Sequence, residues 1–333
     1  MIDASYTLQH AEGGVRIRVL VHGATWAACH VPLPGGAERS VVLGFDQHTD
    51  YQRQQAYMGA TVGRWANRIA HGTYTGPDGE LVQLSRHPGS EHQLHGGAEG
   101  FDQRTWTVLH AAADEVRLGL VSPAGDQGFP GTLHCEVRYR LSSPHCVEVQ
   151  FTASVDAPCP VGLTNHAYFN LDGQPTDVRS HQLWLNAAAA LPVDERLVPT
   201  GPPAAVIGTP LDFQAAKPIG MALDNAFLLN PTASAASATE PAEPAAELTS
   251  ADGLLRLRVH TSLPALQVYT GEFLGVCTAG CSTPWAPFRG VAIEPQYLPD
   301  SPNHPEWPQP SCWLMPGQTW QHHIRYEFDL PGA

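Results

Sequence analysis

The stretch VGLTNHAYFNLDG, at residues 161–173, sets a dense group of hydrogen-bonding side chains between apolar ones: Thr164, Asn165, His166, Tyr168 and Asn170. A strand end with so many donors and acceptors usually faces a polar ligand or belongs to a buried network. Because histidine titrates near neutrality, His166 is a candidate general acid. From the pattern alone, a core histidine satisfied by its Asn and Tyr neighbours is an equally good interpretation.

A carboxylate stands at the end of an apolar run in GVAIEPQYLPDSPNHP, residues 290–305. Glu294 follows Val-Ala-Ile, a strand that should be buried, and a buried carboxylate is costly unless it is hydrogen-bonded or used. A general base is one use, and a structural ion pair with an arginine is the other.

Further polar residues interrupt strand-like sequence at four places: Asn67 and Arg68 in 59–72, His95 in 93–102, Asp224 in 223–229 and Gln267 in 266–274. The Arg68 guanidinium has a fixed fork of donors that suits holding several hydroxyls. The signals are weak alone: for Arg68, capping of a turn with a surface ion pair is the better interpretation, and His95 is one of 17 histidines. Together the residue types fit the binding of a neutral polyol and the movement of protons on it.

The elements that must position these residues are predicted to be strands. Apolar residues alternate with other residues over 15–22, and similar short runs recur along the chain at 115–121, 134–141, 147–155, 181–187, 255–263 and 322–328. Turn signals such as Pro-Gly and Asp-Gly separate them, and no Pro- and Gly-free window of helical period exceeds two turns. The pattern predicts an all-β sandwich or barrel, a class in which 333 residues can form one unit.

One segment, residues 231–252, consists of Ala, Ser, Thr, Pro, Glu, Asp and a single Leu. This composition lacks the apolar mass to pack and predicts an exposed mobile loop. Because strand-like sequence resumes on both sides, we expect one domain over residues 1–333 that carries this loop.

Composition excludes several classes of function. Lys+Arg 18 against Asp+Glu 32 gives a net charge of −14, which argues against nucleic-acid binding. Lys217 is the only lysine, which nearly excludes a P-loop and weakens any Schiff-base mechanism. No apolar run approaches the roughly 20 residues that span a bilayer, and no signal peptide is visible, so we expect a cytoplasmic protein and no membrane partner.

The cysteines and histidines do not have the spacing of a metal site. Of seven cysteines, only Cys277 and Cys281 lie close together, and no pair of histidines accompanies them at ligand spacing. The sequence therefore predicts free thiols and metal independence.

Six blocks, in this order, resemble the galactose mutarotase (aldose 1-epimerase) family: GATVGRWANRI, LHGG with GFD, LTNHAYFNL, Asp224 to Phe227, LQVYTG, and IEPQ with PDSPNHP. The resemblance extends from about Gly59 to Phe328. It implies a large antiparallel β-sandwich, the galactose mutarotase-like supersandwich. It also implies interconversion of the α and β anomers of an aldohexose such as galactose or glucose, without a cofactor.

The resemblance also implies roles for individual residues. Glu294 resembles the general base that takes the proton of the C1 hydroxyl, and His166 the acid that protonates the ring oxygen. On this hypothesis Glu294 is charged and His166 protonated over the working pH range. The sugar-binding residues are expected to be Asn67, Arg68, His95, Tyr168, Asp224 and Gln267.

Three alternatives remain open at the level of sequence. A relative acting on a sugar phosphate or another aldose would need extra arginines, for which Arg53, Arg64 and Arg86 are available. A glycoside hydrolase would need two facing carboxylates, Glu294 and Asp224. A non-catalytic carbohydrate-binding protein would not need the acid and base. In each case the partner is a small sugar and the protein a monomer or homodimer.

Overall fold

Antiparallel strands make up most of the regular structure in the computed structural model, which describes residues 4–173, 176–234 and 243–331. The strands in the first half are β1 Ser5–Gln9, β2 Arg16–Leu20, β3 Thr25–Pro32, β4 Glu38–Ser40, β5 Thr61–Val62, β6 Arg68–Ile69, β7 Thr73–Thr75, β8 Leu81–Gln83, β9 Gln93–Leu94, β10 Thr107–Ala111, β11 Glu115–Ser122, β12 Leu133–Ser143, β13 Cys146–Val155, β14 Cys159–Pro160, β15 Thr164–Asn165 and β16 Tyr168–Phe169. Those in the second half are β17 Gln182–Leu185, β18 Ala187–Ala190, β19 Ala204–Ala205, β20 Lys217–Pro218, β21 Asp224–Leu229, β22 Ala246–Thr249, β23 Arg256–Thr261, β24 Ala265–Tyr269, β25 Val291–Gln296, β26 Trp313–Leu314 and β27 Trp320–Asp329.

Helices are short in the described ranges. The α-helices are α1 His48–Arg53, α2 Pro231–Ser234 and α3 Leu274–Cys277, and single 3₁₀ turns occupy Pro34–Gly36, Ala70–Gly72, Phe101–Gln103, Asp126–Gly128, Val178–Ser180 and Ser301–Asn303. No helix within these ranges has the length and apolar character needed to cross a membrane.

Three sheets form the framework. The largest has nine strands in the order β10-β11-β12-β13-β27-β23-β22-β17-β20, the second has six in the order β16-β25-β24-β21-β18-β19, and the third joins β1 to β4 in sequence. Buried side chains of both large sheets, such as Phe151 and Tyr326 of the first and Phe227 and Ile293 of the second, belong to one hydrophobic cluster. The predicted all-β sandwich is confirmed.

The period-two runs in the sequence match observed strands. In β2, Ile17 and Val19 are buried while Arg16 and Arg18 are partly exposed. The long strands β11, β12, β13, β23 and β27 coincide with five other predicted runs. Alternation located them because each strand in an antiparallel sheet buries every second side chain.

The prediction of an exposed loop over 231–252 was wrong at its carboxyl end. Residues Ala246–Thr249 form β22, which pairs with β17 and β23 inside the nine-stranded sheet. Ala246 and Leu248 are fully buried, whereas the Glu247 side chain pairs with arginines of β23. Two small apolar residues at alternate positions suffice here, because neighbouring strands on both sides supply the rest of the packing. Residues 235–242 of the predicted loop lie outside the described residues.

Candidate active site

The register of the six-stranded sheet brings distant polar residues side by side. Glu294 of β25 lies directly opposite Gln267 of β24, and opposed residues of antiparallel strands point to the same face. On the other side of β25, Tyr168 lies opposite Ala292, so that His166, two residues earlier, comes beside Glu294. The Nε2 atom of His166 is 3.4 Å from Oε1 of Glu294.

This pair is buried and leaves hydrogen-bonding capacity unused. The side chain of His166 is 5% exposed and that of Glu294 is 2% exposed. Among the described residues, neither Nδ1 of His166 nor Oε2 of Glu294 has a hydrogen-bond partner. Buried polar atoms are nearly always paired, so these atoms are available to a ligand that brings its own donors and acceptors.

Burial shifts the pKa of both groups toward their neutral forms. Loss of solvation lowers the pKa of His166 to about 4. It raises the pKa of Glu294 well above its usual range, and the negative charge of Asp224 raises it further. Neither shift favours the ion pair that we inferred from the sequence, because both charged forms lose solvation in this site. Both directions favour the neutral imidazole and the neutral carboxyl in the free site, so that the pair holds one titratable proton, on Glu294.

His95 and Asn67 form a reciprocal pair beside the two catalytic candidates. The backbone N–H of Asn67 donates to Nδ1 of His95 at 3.1 Å, and the backbone N–H of His95 donates to the carbonyl of Asn67 at 3.1 Å. Since Nδ1 accepts, the proton of the neutral imidazole lies on Nε2. The ring of His95 lies 5.3 Å from that of His166. His95 is thus held as a hydrogen-bond donor toward the site.

Left-handed backbone conformations surround the same point. Tyr57, Asn67 and His95 have φ values of 53°, 68° and 50°, and non-glycine residues in this region are uncommon and often functional. Gly96 follows His95 for a steric reason, since a Cβ there would lie 1.9 Å from the carbonyl oxygen of Gly63.

Three potential metal ligands converge in this site. His95, His166 and Glu294 offer ligand atoms that all lie within 4.8 Å of one another. The spacing of residues in the sequence did not predict this group, because its three members come from distant segments of the chain. In His95, however, Nδ1 already accepts a hydrogen bond and Nε2 carries the proton, so neither nitrogen has a lone pair open to a metal. The donor set fits an oxygen of a polyol better, and metal independence stays a prediction.

Asp224, Gln267 and Arg68 extend the site along the sheet. The amide nitrogen of Gln267 donates to Oδ1 of Asp224 at 2.5 Å, while Oε1 of Gln267 is buried without a partner in the described residues. Burial raises the pKa of Asp224, and the nearby Arg68 guanidinium partly offsets this shift. Arg68 is fixed through its backbone N–H, which donates to Oδ1 of Asn67 at 2.7 Å. These residues present an acid, an amide oxygen and a cation to one ligand.

Tyr168 lies in the site but uses its hydroxyl elsewhere. The hydroxyl donates to the carbonyl of Ala56 at 3.1 Å, and the ring centroid is 5.0 Å from that of His166. The structure therefore places Tyr168 as a support for the His166 ring, with its donor already occupied.

Comparison with known proteins decides the family. The family model for aldose 1-epimerase matches residues 4–327. An aldose 1-epimerase of Escherichia coli (strain K12) is 43% identical over 327 residues, which cover 95% of this chain and 92% of that protein. The chain belongs to the aldose 1-epimerase family. A galactose mutarotase of Bos taurus is 37% identical over 326 residues, with the same coverage of 95% and 92%.

Solved structures agree with this membership. The structure of an aldose epimerase homologue from C. elegans has a TM-score of 0.87 and 30% identity, and it covers 98% of this chain and 99% of its own. A galactose 1-epimerase from Lactobacillus acidophilus has a TM-score of 0.80 and 26% identity over the same shares of the two chains. The fold is that of the galactose mutarotase-like proteins, and the chain is an isomerase of the aldose 1-epimerase class.

The eight residues predicted from the sequence form one continuous group. Each of them is linked to another by a contact, a register position or an electrostatic effect described above: Asn67, Arg68, His95, His166, Tyr168, Asp224, Gln267 and Glu294.

Two residues of this region were missed. The ring of Tyr57 lies 4.5 Å from that of His95 and stacks on His166 at 5.9 Å. Tyr57 stands two residues before the block that begins at Gly59, so the resemblance did not include it. Gln296 lies two residues after Glu294, on the same face of β25, and neither atom of its buried amide has a partner in the described ranges. Strand alternation within IEPQ was the available signal for Gln296.

Proposed function

We propose that the chain interconverts the α and β anomers of a free aldohexose, such as galactose or glucose, with His166 and Glu294 as the acid/base pair. The observation that carries the proposal is the contact of 3.4 Å between a buried imidazole and a buried carboxylate. Each of these groups retains an atom that has no hydrogen-bond partner within the described part of the chain.

The pair works with a single titratable proton, which His166 and Glu294 exchange. Transfer of the proton from Glu294 to His166 across their contact gives a carboxylate base and an imidazolium acid without changing the net charge of the site. A bound sugar favours this form, because its hydroxyls replace hydrogen bonds that the charged groups lost on burial.

Ring opening then uses each group once. The Glu294 carboxylate takes the proton of the C1 hydroxyl, the C1–O5 bond breaks, and His166 delivers its proton to the ring oxygen O5. Rotation about the C1–C2 bond presents the other face of the aldehyde, and reclosure reverses both proton transfers. General acid and base catalysis of this kind each contribute about 10²–10⁴ in rate.

The remaining residues hold the sugar. Asp224 and the Oε1 atom of Gln267 are placed to accept from hydroxyls, whereas His95 Nε2 and Arg68 are placed to donate. A cation near the ring oxygen also stabilises negative charge that develops there. Tyr168 and Tyr57 flank the His166 ring and restrict its orientation.

The wider setting of the activity is part of the proposal. We infer a cytoplasmic enzyme, monomeric or homodimeric, that needs neither metal nor cofactor. A sugar phosphate as substrate is not favoured at Arg64, one of the three arginines considered for it, because that side chain is buried and donates to backbone carbonyls. Arg86 is exposed, and one of its terminal nitrogens donates to the carbonyl of Glu91.

Polarimetry on freshly dissolved α-galactose tests the proposal. The protein should accelerate the drift in rotation, and dialysis against a chelator should leave the rate unchanged. A sugar-binding protein without activity would leave the drift at its spontaneous rate. Cleavage of an aryl galactoside would instead show a hydrolase, and loss of activity after chelation that added zinc restores would contradict metal independence.

A further inference from the structure

A second cavity lies between the four-stranded sheet and the segment 283–289. Its volume is about 800 Å³, within the roughly 300–1,000 Å³ of small-molecule sites. Residues of β1, β2 and β3 line one wall, and Trp285 lines another. We call it the arginine cavity, after its residues Arg16, Arg18 and Arg289.

The cations of this cavity are only partly neutralised. Arg16 pairs with Glu38 at 2.8 Å. One terminal nitrogen of Arg18 donates to the carbonyl of Phe45 at 3.0 Å, whereas its Nε is buried without a hydrogen-bond partner among the described residues. In the same set the Arg289 side chain has no hydrogen bond or ion pair; the pKa of Asp177 is lowered mainly by its hydrogen bond from Arg179, and the charge of Arg289 adds to this.

Few acids balance these charges. Asp46 also lines the cavity but is exposed, and Glu38 is already paired with Arg16. His30 adds a further polar group, whose pKa is lowered first by burial and then by the positive charges of Arg16 and Arg18. In a protein of net charge −14, a concave site with an excess of arginine favours an anion, since the guanidinium fork matches phosphate and carboxylate.

Trp285 gives the cavity a flat apolar wall. Its ring is half-buried and is fixed by a hydrogen bond from Nε1 to the carbonyl of Gly44 at 3.2 Å. A planar ring that lines the same cavity as guanidinium groups suits a ligand that joins a phosphate to a ring. We propose that the arginine cavity binds a phosphate-bearing small molecule.

This site is distinct from the catalytic site. None of the eight proposed site residues lines the cavity, and two of its lining residues, Leu43 and Phe45, belong to a hydrophobic cluster with Tyr168. The proposal therefore does not depend on which residues perform the isomerisation.

Binding titrations of the full chain test the proposal. Inorganic phosphate, a hexose phosphate and AMP are titrated separately, with tryptophan fluorescence and calorimetry as readouts, in the absence and presence of saturating galactose. We expect saturable binding of at least one probe that galactose does not displace. Arg18→Gln and Arg289→Gln should each weaken it about tenfold, because each removes a charged donor. Arg117→Gln, which removes a surface arginine of β11, should change it less than about twofold.

The pattern among probes identifies the ligand feature. Equal affinity for phosphate and AMP shows that the phosphate is recognised alone. Tighter binding of AMP that Trp285→Leu weakens shows that the ring is recognised too. Mutarotation by every variant should equal that of the wild type, which controls for folding.

Three results would overturn the proposal. In the first, no probe binds saturably. In the second, neither Arg18→Gln nor Arg289→Gln changes the affinity. In the third, galactose displaces the probe, which would place the anion in the sugar site.

Discussion

Two buried polar regions of the molecule differ in whether their polar atoms have hydrogen-bond partners. Arg64 is 2% exposed, and its Nε donates to Oγ of Ser122 at 2.9 Å. Its terminal nitrogens donate, over 2.8–3.1 Å, to the carbonyls of Ser122, Pro123, Pro130 and Gly131. In the catalytic site, by contrast, Glu294, His166 and Gln267 each leave a buried atom without a partner in the described residues.

The difference fits a structural role for Arg64 and a ligand-binding role for the other three residues. The donors of Arg64 hold separate segments of the chain together, whereas the open atoms of Glu294, His166 and Gln267 would be completed by the proposed sugar ligand. Arg64 and Arg68 are four residues apart in one motif. Only the structure shows that the donors of Arg64 are all used and that Arg68 lies beside the proposed sugar site.

The largest expected effect is that of Glu294→Gln. The amide keeps the shape but cannot accept the C1 proton, so kcat should fall by about 10²–10⁴. The free energy of unfolding should not fall, because burial already disfavours the charged carboxylate. Polarimetry and urea unfolding measure the two quantities, with Glu136→Gln on β12 as a surface control. If Glu294→Gln retains most of its kcat, the base is misassigned and Asp224 is the next candidate.

The double variant Glu294→Gln with His166→Asn tests whether the two groups act as one unit. Each single change should already disable the proton relay, so the double variant should lose little more than either single one. Polarimetric rates of the four proteins give the comparison. Fully multiplicative losses would show that the two groups act independently.

Arg64→Met should lower stability and leave kcat nearly unchanged, the opposite of what we expect for Glu294→Gln. It leaves several buried carbonyls without a donor and should lower the free energy of unfolding by roughly 2–4 kcal/mol. The kcat of the folded protein should stay within about twofold, since Arg64 is given no part in the chemistry. Arg117→Met is the matched control and should cost less than about 0.5 kcal/mol. A loss of kcat without a loss of stability would break the contrast between the two regions.

The smallest effect is expected for Tyr168→Phe. The change removes the hydrogen bond to the carbonyl of Ala56 and should cost about 1 kcal/mol of stability. The ring that supports His166 remains, so KM for galactose should change less than about twofold. A large rise in KM would show instead that the hydroxyl contacts the sugar.

The sequence predicted the fold well wherever one face of a strand is buried and the other is not. The alternation in β2 and β13 has this origin. It failed for β22, where two alternate positions, Ala246 and Leu248, are too short a signal within a segment rich in Ala and Pro. Deletion of residues 233–250, which the loop interpretation would permit, would remove this strand from the sheet.

The set of proposed site residues came from motifs that resemble those of a family, and the structure brings these residues together. Their physical states were not predictable. Only the fold shows that His95 has its proton on Nε2, that Tyr168 uses its hydroxyl on Ala56, and that burial favours the neutral forms of His166 and Glu294. These properties arise from contacts between segments far apart in the chain, which no local pattern records.

The pH dependence of kcat most directly tests the central claim, that the working pair holds one proton. Uptake of a second proton abolishes activity on the acid side, and because burial lowers the pKa of His166 to about 4, this loss should fall below the pH at which an ordinary histidine titrates. Loss of the one titratable proton abolishes activity on the alkaline side. Because the pKa of Glu294 is raised, activity should disappear at a pH above the ordinary carboxyl range. Asp224→Asn removes a negative charge that raises the pKa of Glu294, so it should move the alkaline limb to lower pH. A profile without an alkaline limb, or a shift to higher pH in Asp224→Asn, would contradict the one-proton pair.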